Sequence, residues 1–226
     1  MIRIYCIAAM PVVPQCTGVD DAPLRALDLG GVSALVSDDR GERAPTVTEL
    51  WQHEYVVERT MALGAVLPAR FGLVFDSADA LTGALRPHAD RMRACLDGLR
   101  DLIELGVRVR QRSTDPAFEP VETPRTGVEY LRRAQAGVAT AERASATVDR
   151  TVDALHEIAS TVAEATTPPR PASDGARAFA VLAAEPAAAD IRRVAATFDE
   201  VEVAVTGPWP PYSFGSVGDV LEAVRV

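Results

Sequence analysis

Lysine is absent from the 226 residues: all 23 cations are arginine, against 32 acidic side chains, and the formal net charge is −9. A chain of that sign is a poor counterion-releasing ligand for DNA or RNA and is repelled by anionic lipid, so nucleic acid and membrane surfaces are excluded as primary partners. Cysteine is scarce as well. Cys6, Cys16 and Cys95 are odd in number and widely spaced, without a Cys-x-x-Cys pair. That spacing excludes a disulfide framework and a zinc knuckle and fits reduced thiols in a cytoplasmic protein. No apolar run approaches the roughly 20 residues that span a bilayer. The segment 1–13 is apolar enough to mimic a secretion signal, yet it holds one Arg and leads into Pro14-Gln15-Cys16, not a small-residue cleavage site, and reads as a buried first strand.

What is present is an ordinary globular balance, with 48% apolar and 24% charged residues, which rules out wholesale disorder. The length fits one large domain or two small ones at roughly 150 residues per domain. Strands are predicted over 1–9 and 32–37, with a short helix over 22–29 between them. Thr46 followed by Glu49 has capping-box spacing, so a helix is predicted over 46–64. A strand with a Pro interruption follows over 66–75, then an amphipathic helix over 77–105 that Pro87 should kink, and a closing strand over 106–110. This order suggests a ferredoxin-like α+β sandwich in 1–110. Pro116, Pro120 and Pro124 mark 111–124 as a linker.

The remainder, 125–226, reads as a second α+β domain. Leu131, Ala134, Val138, Ala141, Ser145, Val148, Val152, Leu155, Ala159 and Val162 keep an unbroken three-four spacing, the seam of a coiled-coil-like helix. A single helix over 127–165 would be about 58 Å long at 1.5 Å per residue, and its alanine-rich seam needs a partner surface for stability. Three prolines break it over 166–173; strands over 178–184 and 201–206 then flank a helix over 186–198.

Reactive constellations are missing. His53-Glu54 begins a zincin-like pair, but Val57 occupies the position of the second histidine, so His53 reads as a surface or capping residue. His88 and Cys95 share a helix face roughly 10 Å apart, too far for thiolate activation, and read as core packing. His156 sits beside the helical seam and reads as solvent-facing. No phosphate loop and no Gly-x-Ser-x-Gly elbow occurs. The expectation is therefore no catalytic residues, no metal and no cofactor.

Two blocks stand apart. In Leu67-Pro68-Ala69-Arg70-Phe71-Gly72 a lone Arg sits among apolar neighbours between a φ-fixing proline and a permissive glycine. In Gly207-Pro208-Trp209-Pro210-Pro211-Tyr212-Ser213-Phe214 three prolines and three aromatics follow a strand, an extended segment whose rings either clamp their own domain or offer an edge to another chain.

These blocks, taken in order with Ile4-Tyr5-Cys6-Ile7, Ala34-Leu35-Val36-Ser37 and His53-Glu54-Tyr55-Val56-Val57-Glu58, resemble the GvpL/GvpF family of gas vesicle proteins. Leu73 departs from the family's usual Thr, and a tail over 215–226 follows the last motif. The resemblance implies a modified ferredoxin-like N-terminal domain and a C-terminal α+β domain with long helices. It also implies a non-enzymatic accessory or minor structural protein of cytoplasmic gas vesicles. Its partners would be the small hydrophobic shell protein and other assembly factors. Arg70, Phe71, Trp209, Tyr212 and Phe214 are the expected partner-contacting or site-shaping residues. Two other readings stand beside it. One is a ferredoxin-like small-molecule enzyme or sensor built on His53, Glu54, Glu58 and Arg70, and the other is self-association through the long helix.

Overall fold

The computed structural model describes residues 1–41, 44, 46–112, 127–172 and 174–222. Two five-stranded sheets with accompanying helices make the fold α+β. The residues divide into two compact units. One holds those up to Glu104, Leu182–Glu185 and those from Gly207 onward; the other holds those from Leu105 to Val181 and Pro186–Thr206. This division differs from the one expected at 111–124, because composition marks a linker but carries no trace of a chain that returns to its first unit. From 113 to 124 the expected linker lies outside the described residues.

In the first unit, β1 (Ile2–Ala8) is buried along its whole length. A 3₁₀ turn, Val19–Asp21, precedes β2 (Arg25–Asp28) and β3 (Ser33–Asp38), which pair antiparallel as a hairpin. The helix expected over 22–29 is therefore a strand. Gly30 and Gly31 take φ of 87° and 102°, the left-handed pair that a primed hairpin turn demands, and Asp28 Oδ1 accepts from the Gly30 N–H at 3.0 Å. The turn chemistry of Gly-Gly outweighs the weak helical pattern before it.

Helix α1 (Val47–Met61) starts as expected: Thr46 Oγ1 accepts from the Glu49 N–H, and the Glu49 carboxylate accepts from the Thr46 N–H. It buries Glu49, His53, Val56, Val57 and Thr60. Val56 and Val57 join Tyr5, Cys6, Val19, Leu35 and Val66 in one apolar cluster. The strand expected over 66–75 is two short ones, β4 (Val66–Pro68) and β5 (Val74–Phe75), separated by the Arg70–Leu73 turn; both pair with β1, and the sheet order is β2-β3-β1-β4. Pro87 splits the next helical stretch into α2 (Ala78–Leu85), a 3₁₀ turn Arg86–His88 and α3 (Ala89–Gly98). Their shared buried row is Leu81, Leu85, Met92 and Leu96. The helix ends at Gly98, short of the expected 105, and Leu102 already belongs to β6 (Leu102–Gln111).

The second unit carries α4 (Gly127–Val162), β7 (Ala165–Thr166), β8 (Arg170–Pro171) and the larger part of β9 (Arg177–Ala184), α5 (Glu185–Ala195) and β10 (Val201–Trp209), whose residues 182–185 and 207–209 fall in the first. Sheet order is β10-β6-β9-β7, with β8 antiparallel to β9. Of the expected seam, Val148, Val152, Leu155 and Ala159 are buried, whereas Ala141, Ser145 and Val162 are exposed. Leu131, Ala134 and Val138 fall outside the described side chains. Arg177 Nε donates to Asp149 Oδ1 at 2.8 Å, joining β9 to α4. His156, expected in solvent, is half-buried: its ring meets Phe179 edge-on at 5.2 Å and its Nε2 lies 3.1 Å from Thr166 Oγ1. The last helix, α6 (Val217–Glu222), belongs to the first unit.

Candidate functional site

Tyr5 interrupts the register of β1. Ile4 faces Val36 and Cys6 faces Leu35, so Tyr5 is the extra residue of a β-bulge, a device that re-aims a side chain. Its hydroxyl lies 2.9 Å from Ser37 Oγ and accepts from the Val19 N–H at 2.8 Å. Gly18, just before, leaves room for it: a β-carbon there would collide with that oxygen. The carbonyl of Tyr5 accepts from the Ala69 N–H at 2.8 Å, anchoring the first residue beyond β4.

Ala69 passes the link on. Its carbonyl accepts from His53 Nε2–H at 2.8 Å, which fixes the tautomer, since a carbonyl cannot donate. The His53 ring stacks on Tyr5 at 5.0 Å and meets Phe71 edge-on at 5.6 Å; the Arg3 guanidinium, ion-paired with Asp39, lies 4.9 Å from the Phe71 centroid. Burial pulls the His53 pKa down to about 4, and the nearby Arg3 charge adds to it, while the bond to Ala69 works the other way. His53 is thus a neutral pin in the core, not the surface residue expected. The signal was present: His53, Val56, Val57 and Thr60 share i, i+3, i+4, i+7 spacing.

Glu54, the next residue on α1, engages the second block. Tyr212 Oη donates to Glu54 Oε1 at 2.9 Å. Ser213 donates twice to Glu104, from its N–H to Oε2 at 2.8 Å and from its hydroxyl to Oε1 at 2.7 Å. Burial raises the pKa of both carboxyls, Glu58 raises that of Glu54 further, and burial together with the Glu54 charge raises the Tyr212 phenol. Within the block Pro210 and Pro211 are buried, and just after it Gly215 passes so close to Leu67 that a β-carbon there would sit 3.3 Å from it. The neighbouring pair His53-Glu54 therefore ties both blocks to one helix.

The expected contact residues divide accordingly. Phe71 is half-buried in the His53 cluster, and Tyr212 and Phe214 are half-buried, whereas Arg70 and Trp209 are exposed. Phe71 and Tyr212 are brought to adjacent residues of α1. The four residues nominated for an enzyme do not converge: His53 turns inward, Glu54 bonds to Tyr212 and Arg70 faces solvent. Sequence reasoning missed Glu104, whose partner lies 109 positions away. Among the described residues no group of three or more His, Cys, Asp or Glu side chains could hold a metal ion, and no helix is long and apolar enough to cross a membrane.

Tyr212→Phe removes the donor and leaves the half-buried Glu54 carboxylate unmatched, an expected loss of about 1–2 kcal/mol. Glu54→Gln, which keeps an acceptor for Tyr212 and removes the desolvated charge, is expected to be nearly neutral. Urea midpoints of the two variants beside the parent check both expectations; a Tyr212→Phe protein as stable as the parent would contradict the bond.

Residues 2–216 match the profile of the family described as gas vesicle synthesis protein GvpL/GvpF. Gas vesicle protein L2 of Halobacterium salinarum is 30% identical, over 93% of this chain and 90% of its own length. Gas vesicle protein F of a Streptomyces species is also 30% identical, over 90% of this chain and 94% of that protein. Among solved structures, the crystal structure of gas vesicle protein GvpF from Microcystis aeruginosa superposes with a TM-score of 0.70 at 19% identity, covering 94% of this chain and 98% of that one. The GvpF structure from Anabaena gives 0.71 at 18% identity over 96% of both chains, a likeness of fold. With the profile spanning nearly its whole length and relatives at this identity, the chain belongs to the GvpL/GvpF family of gas vesicle proteins.

Proposed function

We propose that the chain is a non-catalytic factor of gas vesicle assembly in the cytoplasm that binds the hydrophobic shell protein and other accessory proteins. The observation that supports this most is the family match over residues 2–216. The site's chemistry agrees: His53 through Nε2, Glu54, Glu104 and Tyr212 make internal bonds that hold two blocks in place. A strongly apolar shell subunit must be kept from aggregating before it enters the wall, and a soluble chain of net charge −9 suits that task. In this reading the first unit is a modified ferredoxin-like arrangement, and Arg70, Phe71, Trp209, Tyr212 and Phe214 shape or make the contact. The exposed Ala141 and Ser145, which continue the buried seam of α4, supply a coiled-coil-like surface for self-association.

A pull-down between this chain and the shell protein tests the reading. Association is the expected result; none, together with normal vesicles in a deletion strain, overturns it. Trp209→Ala divides the two roles of the second block. Lost binding in a fold of unchanged melting temperature marks a docking edge, and a large drop in melting temperature marks a clamp.

A further inference from the structure

Helix α1 turns an unusual face to solvent. Val47, Leu50, Trp51 and Tyr55 are 70%, 42%, 66% and 50% exposed. Along the helix they fall in two adjacent rows of four-residue steps: Val47, Trp51, Tyr55 and then Arg59; beside it Leu50, Glu54 and Glu58. The opposite face is the one that carries His53, Val56, Val57 and Thr60 into the core. Large exposed apolar side chains are normally scattered singly, and four within one short stretch of helix, a Trp and a Tyr among them, have the make-up of an interface hot spot.

The second row says what kind of chain would cover it. Glu54 and Glu58, both half-buried, stand four residues apart on the helix, a like-charge spacing that disfavours both; Glu54 already accepts from Tyr212 Oη, and neither carboxylate has an arginine partner among the described residues, so Glu58 is the one left to meet a cation. A second copy docked antiparallel about a two-fold axis would set the two acidic rows against each other. A different chain with a cationic row beside its apolar one would match both rows at once.

We propose that the solvent face of α1, centred on Trp51 and Tyr55, docks an amphipathic helix of another gas vesicle protein whose apolar stripe is edged by arginine or lysine. This rests on the assembly-factor reading and adds to it a surface and a partner chemistry. Because exposed side chains carry it, their replacement leaves the fold intact, in contrast with Phe71 and Tyr212.

The test uses the full wild-type chain, whose two indoles are Trp51 and Trp209, with the Trp51→Phe chain as the baseline whose subtraction leaves the Trp51 signal. Overlapping 20-residue peptides covering the shell protein and the accessory proteins encoded beside it are titrated against Trp51 fluorescence. Expected are a blue shift with peptides that carry basic residues along an apolar helical stripe, a tenfold or greater loss of affinity in Trp51→Ala/Tyr55→Ala (followed by labelled peptide), and a smaller, salt-sensitive loss in Glu58→Gln. Binding confined to neutral or acidic peptides, or unaltered by the double substitution, overturns the proposal. So does a concentration-dependent dimer abolished by Trp51→Ala, or a blue shift only with lipid vesicles. The parent reading fails separately: if full-length partners do not associate with the wild-type chain, assembly binding is lost altogether, whereas association indifferent to Trp51 and Tyr55 removes only this surface.

Discussion

Gly207→Ala is expected to lower stability by about 3 kcal/mol or more, combining a left-handed backbone imposed on a side chain with overpacking. Gly207 holds φ at 110°, and a β-carbon on it would lie 2.6 Å from the carbonyl oxygen of Glu104 and 3.2 Å from the Trp209 nitrogen. Both neighbours are backbone, so neither can swing aside as a side-chain tip would. The Glu104 side chain receives both Ser213 bonds, so displacing this strand also loosens the block that carries Tyr212. For a chain of this size the melting temperature should fall by roughly 6–12 °C. Gly83→Ala is the control of opposite sign: Gly83 lies within α2, a β-carbon on it would meet nothing inside 4 Å, and alanine there should stabilise by about 0.5–1 kcal/mol. Thermal melts of both variants beside the parent decide the matter, and a Gly207→Ala protein as stable as the parent would remove the close approach from the account.

Local signals were the legible ones. Thr46 with Glu49 located the start of α1, and Pro87 located the break between α2 and α3, because each acts within one helical turn. The seam of α4 was readable where Val148, Val152, Leu155 and Ala159 now lie buried. Errors came where a weak local pattern met a stronger demand. The apolar residues over 22–29 suggested a helix, but Gly30-Gly31 closes a hairpin. With Val57 in place of a second histidine, His53 reads as a surface or capping residue, although its spacing to Val56, Val57 and Thr60 puts it on the buried side. The bulge at Tyr5, the bond from Tyr212 to Glu54 and the pair from Ser213 to Glu104 join residues brought together only by the tertiary fold, and no spacing rule reaches across 109 or 158 positions. The two motif blocks could be recognised as unusual wording, but that one helix pins both was invisible until His53 and Glu54 were seen to face different ways.

That pin should make the fold acid-sensitive. His53 is neutral when folded, with its pKa pulled from 6.5 to about 4, whereas in the unfolded chain it protonates near the ordinary value. Above pH 6.5 both states are neutral and pH has no leverage. Between 6.5 and 4 the unfolded chain takes up a proton that the folded one refuses, so stability falls with pH, by about 3 kcal/mol over the window at 1.36 kcal/mol per unit. Glu54 and Glu104 pull the other way, since carboxyls raised by burial gain protons in the folded state first, and the parent's own curve blends both trends. His53→Gln separates them: its amide N–H can still donate to the Ala69 carbonyl, it does not titrate, and the carboxyls and the other two histidines are common to both proteins. The variant is expected to be less stable than the parent at pH 7, having lost the ring packing on Tyr5 and Phe71, with the gap closing by about 3 kcal/mol as pH falls to 4. Urea midpoints at half-unit pH steps measure the difference directly. Parallel curves would mean that His53 protonates as freely inside the fold as outside it, and the joint between the two blocks would then have to be a hydrated one.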